Sequence, residues 1–150
     1  MATQWTAGTT SGQVLTAATL NTIGAVPVDY TPTLTQSATV TKTVVMARYF
    51  QFQKFFTGQI LMNCTGAGTI GNAVQIGLPF AVKTSSPMTG FGYIYDASTN
   101  TIYNLSFVPF APGGATLAGF YQTGNVFGVS PNLALANGDQ IAINFSYEIA

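Results

Sequence analysis

Four carboxylates, Asp29, Asp96, Asp139 and Glu148, are the only acidic side chains of this chain; Cys64 is its only thiol, and there is no histidine. A Ser-His-Asp or Cys-His nucleophile system cannot be assembled without His. A zinc site is nearly excluded for the same reason, with one Cys left to supply a ligand. Two carboxyl groups about 5–9 Å apart would make a glycosidase pair. Asp96 and Asp139, however, stand in turn-like contexts, where Asp favours the backbone conformation. Glu148 lies on the outward side of the last alternating run. Cys64 sits on the apolar side of its own run, where a free thiol is commonly buried and inert. No cationic residue beside it in sequence would lower its pKa. Asp96-Ala97-Ser98-Thr99-Asn100 begins like a calcium loop, but an EF-hand needs Gly at the sixth place and Glu at the twelfth. Those places hold Thr101 and Phe107, so a hairpin turn between Tyr95 and Ile102 is expected instead. The glycines form neither a G-x-x-x-x-G-K-S/T loop nor a G-x-G-x-x-G opening a helix. The expectation is a protein that is not an enzyme and holds no cofactor or metal.

The charge balance extends this reading. Charged residues make up 5% of the 150, against roughly 25% in a typical soluble domain. The bases are Lys42, Arg48, Lys54 and Lys83, and the formal net charge is zero. Four scattered bases cannot neutralise a run of phosphates, so no nucleic-acid partner is expected. A hydrophobic fraction of 47% excludes disorder, and a single Cys excludes a disulfide framework. No stretch approaches the about 18 consecutive apolar residues of a spanning helix. The N-terminus has no basic region followed by an apolar block, and the segment before Thr31 does not fit an outer-membrane barrel. No membrane insertion is therefore expected. Surface charge and net charge ordinarily keep a monomer soluble. This chain lacks both and carries 22 Thr, which hydrate a surface without charging it. Much of the surface is then expected to be covered, in an oligomer or a larger assembly; a monomer coated with Thr, Asn and Gln is the plain alternative. Seven Tyr and eleven Phe exceed what a small core requires. Some are expected at subunit contacts, where aromatics are enriched, or as a platform for stacking carbohydrate.

The elements that must position these residues fall into two parts. Residues 1–30 read as an arm. Gly8-Thr9-Thr10-Ser11-Gly12 is linker-like. Thr16 can cap a short helix in which Ala17 and Ala18 favour the helical state, Leu20 and Ile23 share a face, and Gly24 stops the run. A helix of about two turns is marginal alone in water, so it must dock, either on its own domain or on a partner. Trp5 lies in the same arm, and tryptophan is a favoured interface anchor. Residues 31–150 read as all-β. Phe56, Ile60, Met62 and Cys64 share one face at period two, and so do Ile141, Ile143, Phe145, Tyr147 and Ile149. Runs at Thr39 to Phe52, Val74 to Leu78, Phe91 to Tyr95, Ile102 to Phe110 and Leu117 to Tyr121 supply further strands. Gly66-Ala67-Gly68, Pro87, Pro112-Gly113-Gly114 and Asn137-Gly138-Asp139 separate them. About seven to nine strands at this spacing predict a β-sandwich or small barrel. No internal repeat is visible that would make a propeller or solenoid.

The order of several short motifs resembles small phage head-decoration and tail-fibre proteins. Trp5, then Gly12-Gln13-Val14-Leu15-Thr16-Ala17-Ala18-Thr19-Leu20-Asn21, resembles their "W…G..LTA..LN" opening. Tyr30-Thr31-Pro32-Thr33-Leu34-Thr35 is similar to the "YTPTLT" start of their β-domain. Ala47-Arg48-Tyr49-Phe50-Gln51, Gly71-Asn72-Ala73-Val74, Leu78-Pro79 and Asn137-Gly138-Asp139-Gln140-Ile141 follow in the same order. One departure is Gln53 before Lys54, where the family often has a Gly-Lys turn. The resemblance implies a jelly-roll-like β-sandwich assembled as a homotrimer on the outer surface of a virion, attached through the arm to the major capsid protein. Trp5, Leu15, Leu20 and Ile23 are the expected arm contacts. The competing expectation is a tail-fibre tip that recognises a host surface glycan, although 150 residues leave no room for a shaft. A small glycan hydrolase is the third, and the scarcity of acids disfavours it.

Overall fold

The computed structural model describes residues 26–84, 89–121 and 124–149. The described chain is all-β, with eleven strands: β1 (Val28–Asp29), β2 (Leu34–Gln36), β3 (Ala38–Thr39), β4 (Lys42–Phe52), β5 (Phe55–Cys64), β6 (Gln75–Gly77), β7 (Thr89–Asp96), β8 (Thr101–Pro109), β9 (Thr116–Tyr121), β10 (Asn125–Val126) and β11 (Gln140–Glu148). They form one sheet in the order β1-β4-β5-β11-β7-β8-β9-β6-β2-β3, with β10 added beside β9. Every pairing is antiparallel. Two more strands are found than the upper end of the sequence expectation. β1, β3 and β10 are only two residues each, too short to leave an alternation in the sequence.

Alternation explains which face is inside. In β5, Phe56, Ile60, Met62 and Cys64 are buried, and in β11 so are Ile141, Ile143, Phe145 and Tyr147. Both strands thus turn their apolar positions the same way, as period-two geometry requires. Gly58 takes the remaining inward place of β5, opposite Phe145, and a Cβ there would strike the Phe145 ring. The sheet curls so that its far strands cover this face. Leu34 of β2, Ile76 of β6 and Leu117 of β9 enter the same core as Met62, Ile94 and Phe107. Burial of each large side chain in that core is worth about 1.5–3 kcal/mol. Aromatic rings fill one end of it. Phe56 stacks on Tyr147 at 5.5 Å and lies 5.0 Å from Phe80, while Tyr49 meets Tyr30 edge-on at 5.9 Å.

One polar residue holds the curl closed. Gln36, at the end of β2, is completely buried. Its Nε2 donates to the carbonyls of Asn72 at 3.0 Å and Leu133 at 2.7 Å, and its Oε1 accepts from the Leu135 backbone N–H at 2.9 Å. A single amide therefore ties β2 to the segments before β6 and before β11. Gly68 packs on this amide, where any Cβ would collide with it. Replacing Gln36 by Leu removes the partner of two part-buried carbonyls and one buried N–H. The expected loss is about 3 kcal/mol or more, at about 1–3 kcal/mol per unsatisfied group. In urea unfolding this should lower the midpoint with little change in slope.

Candidate functional site

Each titratable group of the sequence reading now has a place. Asp96 ends β7 and is 4% exposed. Its Oδ1 accepts from the backbone N–H of Ser98 at 2.9 Å and of Thr99 at 3.3 Å, and from the Ser98 hydroxyl at 2.7 Å; its Oδ2 accepts from the Thr99 hydroxyl at 2.8 Å. This is the hairpin turn expected between Tyr95 and Ile102. The Ser98 hydroxyl bond, joined by the other three and opposed by burial, holds the Asp96 carboxyl below its usual range. Asp139 is 1% exposed and accepts from Ala97 N–H at 3.0 Å and Ala136 N–H at 2.8 Å. The two acids thus saturate backbone donors at neighbouring turns and face no open site. The chemistry of the turns was legible; the burial of both acids was not, because it depends on two turns far apart in sequence coming together.

The remaining ionised groups are mostly paired. Arg48 Nε lies 3.4 Å from Asp29, and Lys83 Nζ donates to Glu148 at 2.7 Å. Among the described residues no three His, Cys, Asp or Glu side chains gather to hold a metal, and no helix is long and apolar enough to cross a membrane. Cys64 is 1% exposed. Burial, with Asp139 adding and Lys42 opposing, pushes its thiol up to about 12. It is a protonated core residue at neutral pH. Burial, reinforced by Tyr147, also raises the Tyr30 hydroxyl.

The organised surface lies on the opposite, outward side of the sheet. Register alignment brings Arg48 of β4, Gln59 of β5, Asn144 of β11, Phe91 of β7, Ser106 of β8 and Phe120 of β9 into one lateral row across six strands. The adjacent row carries Phe50, Thr57 and Ser146. Ser146 Oγ donates to Thr57 Oγ1 at 3.1 Å. Phe91 stands 62% exposed in the middle. A trough of about 420 Å³ lies on its β4 side, floored by Thr57, Gln59, Asn144 and Ser146. A second trough of about 500 Å³ lies on its β8 side, with Tyr93 and Asn104 in its lining. The surplus of aromatics is visible in the sequence but their placement is not, since the row exists only once the register of six strands is known.

The arm residues Trp5, Leu15, Leu20 and Ile23, and the helix expected around them, lie outside the described residues. Among the described residues the first strand is β1, where Asp29 pairs with Arg48 and Tyr30 N–H donates to Ala47 O at 3.0 Å. No family model, curated protein or solved structure matches the chain.

Two measurements follow from the acid and thiol geometry. A carboxyl whose folded pKa is depressed stabilises above its unfolded value, near 3.9, and loses that stabilisation as pH falls through the folded value. Asp96→Ala should therefore cost about 1–3 kcal/mol at neutral pH, and the gap to the parent should close as pH drops below about 4. Urea midpoints measured across the acid range check this. Native Cys64 should resist alkylation by iodoacetamide and react only after denaturation, which mass spectrometry reads directly.

Proposed function

We propose that this chain is a phage virion structural protein: a capsid decoration (minor capsid) protein that binds the major capsid shell as a homotrimer and stabilises it. It acts by contact and not by catalysis. Its β-domain is then a jelly-roll-like sandwich, and residues 1–30 are an anchoring arm with a short helix. Trp5, Leu15, Leu20 and Ile23 make the contacts with the shell. Binding to the mature shell alone shifts assembly toward that state by mass action.

The observation that carries this reading is the apolar end of the sheet where the arm joins. Phe52 is 60% exposed and Phe55 51%, and the β4–β5 register sets the two side by side on the outward face. Exposed apolar groups gathered in one place mark interaction surfaces. Large side chains of this kind are affordable on a covered surface and a liability on a bare one. The turn that presents Phe52 and Phe55 is tight: Gln53 occupies positive φ (54°) and its carbonyl accepts from Gln51 Nε2 at 2.8 Å. Gln53 thus stands in the conformation that the Gly of the related motif would adopt without strain.

A second reading, a tail-fibre tip that recognises a host surface glycan, is favoured by the trough beside Phe91.

Light scattering after size exclusion should give the mass of a trimer, and Phe52→Asp with Phe55→Asp should shift it to the monomer. A stable parent monomer would contradict the assembly. Removing residues 1–24 should leave a folded trimer that no longer binds empty shells; normal decoration by the truncated protein would overturn the arm.

A further inference from the structure

The trough between Phe50 and Phe91 has a composition that selects a ligand class. Its floor is four small polar side chains in two adjacent rows: Thr57 and Ser146 in one, Gln59 and Asn144 in the other. Each amide offers both a donor and an acceptor. The two hydroxyls are bonded to each other and keep further capacity to accept. An exposed phenyl ring stands on each side, Phe50 at 40% and Phe91 at 62%. β4 and β7 are separated by β5 and β11, and Phe50 stands one row along from Phe91, so these walls are about 16 Å apart, three strand spacings across and two residues along. The single cation of the lining, Arg48, is paired with Asp29 at the edge of the sheet. The trough is therefore electrically neutral, rich in paired donors and acceptors, and flanked by exposed phenyl rings.

We propose that this trough binds a neutral oligosaccharide. A pyranose ring matches each feature. Its apolar C–H face rests on the Phe91 ring, and its hydroxyl edge exchanges hydrogen bonds with the Gln59 and Asn144 amides. A phosphate-rich or acidic polymer does not match, because nothing in the lining offers it an uncompensated positive charge. A second copy of the chain is the rival occupant of this face. It matches less well, since the polar floor would have to be desolvated and repaired in register by a partner's side chains. The site deepens the glycan-recognition reading, on which it rests. It does not depend on attachment to a shell, so failure of shell binding leaves it standing.

The test uses the full chain on an array of neutral and acidic oligosaccharides, followed by calorimetric titration of the neutral glycan that binds best. Expected are neutral hits whose affinity is unchanged between low and high salt, as binding without ion pairs requires. Phe91→Ala should weaken the titrated glycan about tenfold or more. Asn144→Ala and Gln59→Ala, both on the outward face, should also weaken it while keeping the parent unfolding midpoint. Four outcomes overturn the proposal. One is an array without neutral hits. Another is capture of acidic glycans alone, falling with salt. The third is parent-like affinity in all three variants. In the fourth, Phe91→Ala dissociates the oligomer and no glycan is captured, and the face is a contact between copies.

Discussion

A sheet this broad has one apolar face and must hide it, and here it does so by bending over on itself. The buried Gln36 amide is what fixes the bend. Its three hydrogen bonds reach Asn72, Leu133 and Leu135, which stand far from it in sequence. Backbone pairing carries β9, β6 and β2 round the curl; the amide adds a tie from the end of β2 to the segments before β6 and β11. Apolar contact is non-directional; the amide supplies direction. Everything on the outside follows from that closure, because the inward set of each strand decides which residues face out. The lateral row from Arg48 to Phe120 is the complement of the core, read from the other side of the same strands.

Charge is distributed with the same economy. Arg48 and Asp29 form one pair, Lys83 and Glu148 another, and Asp96 and Asp139 are buried against backbone donors. Among the described residues, Lys42 and Lys54 are the two of the eight ionised side chains outside these pairings. The surface that results is made of hydroxyls, amides and phenyl rings. Six of the eleven Phe are exposed: Phe50, Phe52, Phe55, Phe80, Phe91 and Phe110. Such a surface has little long-range field with which to attract a charged partner. It recognises by shape and short-range contact, which suits assembly at the Phe52 and Phe55 end and a neutral ligand at the Phe91 trough.

Much of the fold was legible because β5 and β11 alternate cleanly, one side inward and one outward. The turn at Asp96 was legible from its residue types, and Cys64 from its place on an apolar stripe. Gln36 was not, since an isolated Gln in a Thr-rich segment reads as surface, and only the curl of the sheet buries it. β1, β3 and β10 escaped for want of length. The outward row escaped for a different reason. Each strand declares its own two faces, but which outward residues become neighbours depends on register, and register is set by pairing between strands many tens of residues apart. Gln140 makes the point: its Nε2 donates to Asn63 at 3.1 Å and its Oε1 accepts from Tyr93 at 2.7 Å, contacts that no local pattern announces.

The position of β11 carries a consequence for how the molecule is made. β11 follows every other strand in the chain, yet it lies between β5 and β7, paired on both sides. Until it arrives, those two strands have facing edges with unpaired amides and carbonyls, and the apolar faces of β5 and β7 have no common floor. Closing the sheet thus waits on an insertion across a long loop, the kind of non-local step that slows β-rich folding. During that wait, two open edges invite strands from other chains. Nascent copies therefore compete between completing themselves and capturing one another, and crowded synthesis should tilt that contest toward misassembly.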